Sequence, residues 1–488
     1  MGGDGSAWEK QLEEDLSLTS AEQFYRLAVE FLEESRQGKL PVSPARSAEE
    51  LWAEWAGPLP AQGRPLPEVL RELKEKVLAH SIRLHHPRYM GHQVAVPLPA
   101  AIWMESVTAA MNQSAAVREM SPAGTVIEML VLGWLAAMAG YGAEFGGVMT
   151  SGGVEATYTA LLAARTRACP EVWHHGVGAR SLAVVCGEHA HYSVERAVGQ
   201  LGLGTRNCVP VPSREFKMDP GLLAAVLDRL EREGKTVVAV VATAGTTATG
   251  SFDDLEAVGA VCRQKGVWLH IDGAHGASAL FSESRKSRMK GVRESDSLSW
   301  DPHKMMLMPL AAGTLLVREE KALQDAFSQS APYLFHRQGE ARAWDQGLRS
   351  FQCSRRNDAL KVWVALNRYG SEGMGRIFDR LCDHTEYLYG LVADRPDFQT
   401  FHAPESNILC FRYLGREDDS EDFRDILNQR LRARFNEEGT GWITITRLGG
   451  RFTLRTVLMN PLTGRSDLHL VVEEIARLGS RLRAEIRL

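Results

Sequence analysis

Cysteine is scarce in this sequence. Seven thiols, at positions 169, 186, 208, 262, 353, 382 and 410, are scattered through 488 residues with no CxxC pair. An odd, widely spaced set in a long chain argues against a disulfide scaffold and for a reduced, cytoplasmic protein. Long apolar runs are missing as well. The most apolar helical stretch, residues 126–138, is too short to span a bilayer. The acidic start MGGDGSAWEKQLEEDL has no apolar centre and does not read as a secretory signal. Nor does one sign of charge dominate. Fifty-six Lys and Arg face 61 Asp and Glu, a net charge of −5 that gives no reason to expect nucleic acid or a membrane as partner. The rest is ordinary globular composition, 44% hydrophobic and 24% charged, with no internal repeat or low-complexity tract. It suffices for a large core in two or three domains.

Three regions are expected. Residues 1–84 read as helical and charged, with an apolar stripe at Phe24, Leu27, Ala28, Phe31 and Leu32 and then prolines at 41, 44, 58, 60, 65 and 67. Such a segment cannot build its own core and is expected to wrap another surface, such as a second subunit. Residues 85–368 alternate short apolar runs (SLAVVC, VVAVVAT, VWLHI, TLLV) with helical periodicity over 219–234 and 254–265. That alternation predicts an α/β domain around a mostly parallel sheet flanked by helices, with ligands beyond the C-terminal strand ends. Residues 369–488 read as a smaller α+β domain, with strands near 408–413 and 452–457.

Four segments carry candidate chemistry. In TSGGVEA (150–156), Gly152 and Gly153 open a helical run, where backbone N–H groups and the helix dipole suit a phosphate; an ordinary Gly-rich turn is the plainer alternative. In HIDGAHGA (270–277), Asp272 ends a buried strand and needs a partner, since an unpaired buried charge is costly; a helix cap or salt bridge would also serve. In SWDPHK (299–304), Lys304 lies 32 residues beyond Asp272, beside an apolar run. It is either a snorkelling surface lysine or an amine ready to form a Schiff base. In CGEHAHYS (186–193), Cys186, His189 and His191 suggest metal, but no zinc-spaced partner set accompanies them and no metal is expected. A flat imidazole stacked on an aromatic ligand is the better reading. Together these pieces suit pyridoxal 5′-phosphate, which needs a lysine for its aldehyde, a carboxylate for its ring nitrogen and a phosphate cradle.

At these residues the chain resembles the group II pyridoxal-phosphate-dependent amino-acid decarboxylases. HPRYMGH (86–92), NQSAAVREMSPAGTVIE (112–128), HAHYSVERA (189–197), ATAGTTATGSFDDL (242–255), WDPHK (300–304) and SRRNDALKVW (354–363) carry the resemblance in one order. It implies a type I aminotransferase-like fold, a homodimer with its active site at the subunit interface, and a small L-amino acid as substrate. It also implies roles. Lys304 would be the Schiff-base lysine, Asp272 the partner of the ring nitrogen and His191 the stacking histidine. Gly152, Gly153, Val154 and His303 would hold phosphate, with Thr246 and Ala274 packed around the ring. Tyr333 would be the proton-donating tyrosine of a mobile loop. His92, Gln93 and Asn112 would line the substrate pocket, and Arg455 would hold the substrate α-carboxylate, unless it is a structural salt-bridge residue.

The implied reaction is removal of the α-carboxylate to give an amine and carbon dioxide, with a lean toward glutamate- or 2,4-diaminobutyrate-like substrates. The alternatives are a carbon–carbon lyase of the sphingosine-phosphate type, an amine-oxidising aldehyde synthase and a non-catalytic cofactor-binding scaffold. Three positions depart from the family pattern: Gly273 stands where alanine is common, His275 where an aromatic is common, and Met305 follows the lysine where Trp or another apolar residue is frequent.

Overall fold

The computed structural model describes residues 7–44, 46–327 and 344–486. In chain order the strands are β1 (Tyr89–Met90), β2 (Gly146–Thr150), β3 (Leu182–Gly187), β4 (Cys208–Val211), β5 (Ser213–Arg214), β6 (Lys217–Met218), β7 (Thr236–Thr243), β8 (Trp268–Asp272), β9 (Ser297–Trp300), β10 (Gly313–Val317), β11 (Phe398–Thr400), β12 (Ile408–Tyr413), β13 (Trp442–Leu448) and β14 (Arg451–Val457).

The central sheet has the order β2-β10-β9-β8-β7-β3-β4. Pairs from β9 to β4 are parallel, and β10 runs antiparallel to both β9 and β2. Strands β2, β3, β8, β9 and β10 are buried along their whole length. Continuous burial follows from helices covering both faces, and it explains the unbroken Val, Ala, Leu and Ile runs. The covering helices begin where polar side chains can satisfy free backbone N–H groups: Asp219 accepts from Gly221 and Leu222, and Asp254 from Ala257. The TLLV run therefore forms a sheet strand of reversed direction, because β10 returns beside β9 without a crossover helix. A mostly parallel sheet between helical layers is the α/β architecture expected from the sequence.

Two family-like motifs meet away from the strand ends. Arg355 of SRRNDALKVW makes two 2.8 Å bonds to Glu128, and Glu128 also accepts from the Met149 backbone N–H at 3.1 Å. Both side chains are fully desolvated, so removing either one would leave an uncompensated buried charge. The pair pins the β2 edge beneath the Gly152–Gly153 turn.

A second sheet, β1-β13-β14-β12-β11, forms the smaller unit with the helices Glu421–Glu437 and Arg465–Ile486. Two details differ from the boundaries 85–368 and 369–488. Strand β1 lies early in the chain yet pairs in parallel with β13, and Met90 joins the small core. A two-residue strand has no periodicity to show in sequence. The helix Ala359–Ala393 crosses the boundary: residues through Cys382 pack on the large core, and Leu388 and Val392 on the small one. Its one interruption is Gly370, with φ 68°.

The N-terminal segment is helical, as expected, over Ala7–Asp15, Leu18–Arg36, Ala48–Trp55 and Leu66–Glu72. It leaves Trp8, Leu12, Leu16, Leu18 and Trp52 exposed. No described helix is long and apolar enough to cross a membrane.

Candidate active site

The parallel strands end on one side of the sheet, and their terminal residues converge there. Thr150 closes β2, Gly187 closes β3, Thr243 closes β7 and Asp272 closes β8. A cavity of about 360 Å³ opens beyond these ends. Lys304, Asp272, His191, Gly152, Gly153, Val154, Ala274, His303 and Gln93 all line it. Residues as distant in sequence as 93 and 304 thus share one chamber of cofactor size.

Asp272 is buried, and its Oδ1 is held by the Ala274 backbone N–H at 3.2 Å and the Ser299 hydroxyl at 3.1 Å. Its register partner on β9 is Ser299 itself. With Oδ1 engaged by two donors, Oδ2 is the oxygen left for a cationic ring nitrogen. Lys304 follows β9 in the turn Asp301–Lys304, with its Nζ 3.1 Å from Asp301 Oδ2.

The helix Gly153–Ala168 begins at the chamber wall. A Cβ on Gly152 would lie 3.0 Å from His303 Cε1, and one on Gly153 would lie 3.0 Å from Ala274 Cβ. Glycine is what lets backbone and imidazole come so close. His303 Nδ1 accepts from the Ala312 backbone N–H at 3.1 Å, so in the neutral ring Nε2 carries the proton and faces the chamber. Burial holds the His303 pKa below its ordinary value, with Asp301 pulling the other way. His191 is treated alike: burial lowers its pKa, Asp272 opposes this, and its Nδ1 accepts from the Ser193 backbone N–H at 3.3 Å. Both imidazoles are neutral N–H donors near pH 7.

These residues fit pyridoxal phosphate. The helix start, the His303 N–H, the half-engaged carboxylate of Asp272 and the lysine amine are the donor set this cofactor needs, and the glycine turn leaves the room.

Other sequence candidates stand apart from the chamber. Thr246 is buried in a hydroxyl chain with Thr249 and Ser251, and its neighbours Gly245 and Thr247 line the cavity instead. Asn112 is the left-handed cap (φ 46°) ending the helix Pro99–Met111, exposed and outside this cavity. His92 is exposed and packs against Trp442 at 5.1 Å between ring centroids. Burial lowers its pKa first, and the charge of Arg455 adds to the effect. Arg455, on β14, is not a salt-bridge residue among the described residues. It donates to the carbonyls of Ala248 (3.1 Å) and Thr247 (2.5 Å) and to the Thr444 hydroxyl (3.3 Å). Tyr333 lies outside the described residues. Cys186 and His189 have other partners, Cys208 at 3.8 Å and Ser213 at 2.9 Å.

Sequence reasoning missed the roles of Ser299, Asp301 and Thr247. Ser299 was within reach, since it lies one register step from Asp272 on the next strand. His275, noted as a departure, is buried in the chamber wall. Its Nε2 lies 2.7 Å from Asn407 Oδ1, whose own Nδ2 donates to the Leu458 carbonyl. Its Nδ1 has no partner among the described residues, and burial, then Lys304, pushes its pKa down to about 3.

Comparison with known proteins gives a consistent picture. Residues 56–414 match the pyridoxal-dependent decarboxylase conserved domain. The acidic amino acid decarboxylase GADL1 of Xenopus tropicalis is 30% identical over 427 residues, covering 85% of this chain and 83% of the relative. The crystal structure of mouse CSAD superposes with a TM-score of 0.89 at 27% identity, over 95% of this chain and 99% of that one. The glutamate decarboxylase domain of a diaminobutyrate-pyruvate transaminase and L-2,4-diaminobutyrate decarboxylase from Vibrio parahaemolyticus gives a TM-score of 0.84 at 25% identity, covering 95% and 96% of the two chains.

Proposed function

Because this chain belongs to the pyridoxal-dependent decarboxylases and is a pyridoxal-phosphate-dependent amino-acid decarboxylase, we propose that its substrate is an acidic L-amino acid. The similarity to a relative named for acidic amino acids carries this reading, and Arg455 adds a cation for a substrate carboxylate. Arg455 is buried, and no carboxylate pairs with it among the described residues. Three neutral oxygens fix its position beside the cavity-lining Thr247 but do not neutralise it. A buried cation without a counter-ion favours an anionic ligand group. The curated relative named for acidic amino acids supports the same class.

Pyridoxal phosphate, when bound, supplies an aldehyde for an amine and a ring that accepts the electron pair released at Cα. Lys304 would provide the amine that holds the cofactor aldehyde. Asp272, with Oδ1 already engaged, would face the ring nitrogen and favour its protonated form. His191, uncharged, offers a flat face to the ring. The Gly153 N–H and the His303 Nε2–H are donors for the phosphate. Arg455 holds a substrate carboxylate, and Gln93, whose buried Nε2 has no protein partner, is a second donor in the chamber. Tyr333 returns a proton to Cα, a role that rests on the family resemblance. The working unit is a homodimer, a reading supported by the apolar side chains that the N-terminal helices leave in water.

The test is a panel of L-amino acids incubated with purified holoenzyme, with amine, carbon dioxide, aldehyde and peroxide read together. Amine and carbon dioxide from aspartate, glutamate or cysteine sulfinate are expected. Turnover of only 2,4-diaminobutyrate or aromatic substrates would reject the acidic class, and aldehyde with peroxide would reject simple decarboxylation. Arg455→Met is expected to lower kcat/KM on the acidic substrate about a hundredfold, roughly the cost of leaving one charge unpaired.

A further inference from the structure

Asp301 sits where it is electrostatically out of place. Its side chain is 1% exposed, in the wall of a chamber that receives a phosphate. Three donors converge on one of its oxygens. Oδ2 accepts from the Gly153 backbone N–H at 3.0 Å, lies 3.1 Å from Lys304 Nζ and lies 3.4 Å from His303 Nε2. Oδ1 is buried with no hydrogen-bond partner among the described residues. Gly153 is the first residue of a sixteen-residue helix, so this carboxylate also occupies the positive end of that helix's dipole.

Two of these donors are the ones a cofactor phosphate calls on: a helix-start N–H and a neutral imidazole N–H. One set of donors cannot fully satisfy two anions. With Asp301 itself buried, two negative groups within a few ångströms repel strongly. We propose that Asp301 is a resident anion that competes with the cofactor phosphate for the Gly153 N–H and His303, and so sets a deliberately reduced affinity for the phosphorylated cofactor. The inference rests on the cofactor reading but adds to it: this chain holds pyridoxal phosphate less tightly than its cradle allows, and cofactor exchange is correspondingly easier.

The side chain's size is not the cause, since asparagine has the same shape without the charge. Asp301→Asn therefore separates charge from packing. The amide can still accept from Gly153 through its oxygen, and its NH₂ becomes a donor toward phosphate.

The experiment uses the full chain, stripped of cofactor and titrated with pyridoxal phosphate and, separately, with pyridoxal, following the visible absorption of the lysine-bound cofactor. Asp301→Asn is expected to bind pyridoxal phosphate about tenfold more tightly than wild type, a gain of one charge-assisted contact. Its affinity for pyridoxal, which has no phosphate, is expected to stay within about twofold. Equal gains for both ligands would mean that Asp301 acts on Lys304 or the ring and would overturn the proposal. So would unchanged or weaker binding of pyridoxal phosphate. Circular dichroism checks the fold, and Asp301→Ser carries the same comparison if the asparagine variant misfolds. A wild-type protein that forms no visible band with pyridoxal phosphate would instead sink the cofactor assignment, an outcome distinct from all of these.

Discussion

Leu16 and Leu18 in the N-terminal segment are 81% and 75% exposed, whereas Asp272, Asp301 and His275 at the sheet's end are 7%, 1% and 3% exposed. The two regions break the usual burial pattern in opposite directions. The arm keeps apolar side chains in water, and the chamber keeps charged and titratable ones out of it. Each inversion costs free energy when the chain is considered alone, so each points to a partner. For the chamber the partner is a small molecule matched group by group: a carboxylate for a ring nitrogen, N–H donors for phosphate, an arginine for a carboxylate. For the arm it is a broad surface, and a second copy of the chain is what we propose.

The sharpest way to separate the two regions is to strike each alone. Lys304→Ala has the largest expected effect. Amine formation should fall by at least about a thousandfold, and the visible band of lysine-bound cofactor should vanish, while the oligomeric state stays unchanged. A surviving band would show that another amine holds the cofactor. Replacing Leu16 and Leu18 together by glutamine comes next. Dimer dissociation, read by sedimentation, should strengthen by about ten- to a hundredfold, the range for losing two central apolar contacts. Wild-type and variant chains that remain equally monomeric, or equally dimeric at every concentration, would break the comparison on the arm's side.

The smallest effect concerns acid. His275 in the folded chain has its pKa pushed down to about 3, below the roughly 6.5 of an unfolded chain. Between these values the unfolded state binds the extra proton. The stability this residue allows is therefore present above about pH 6.5 and is lost as pH falls toward 3. In His275→Gln the loss of stability between pH 7 and pH 4.5, measured by denaturant unfolding, should be shallower by about 2 kcal/mol. An unchanged pH slope would show that His275 takes up its proton without unfolding.

Much of the central sheet was legible because buried parallel strands must be apolar throughout, and helices between them must repeat every three to four residues. Lys304, Asp272 and the glycine turn were legible because each is an odd residue at the end of such a run. What stayed hidden depends on contacts that sequence does not encode locally. Asp301 meets Gly153 across 148 positions, and nothing near either residue announces the meeting. Thr246 and Thr247 are adjacent and chemically identical, yet one is locked into a hydroxyl chain and the other lines the cavity; only the path of the loop decides between them. The parallel pairing of β1 with β13 joins residues more than 350 apart through a strand too short to show a period. The reversed direction of β10 was illegible for a related reason, since an apolar run reads the same in either sense.

The helix Ala359–Ala393 is anchored in both cores, with an interruption at Gly370. Each residue of a helix turns its successor by about 100°. A single insertion or deletion in this segment would therefore rotate the whole C-terminal unit relative to the central sheet and swing Arg455 away from Thr247. The length of this connector, rather than its composition, is what natural variation among close relatives must hold constant, whereas surface loops are free to drift.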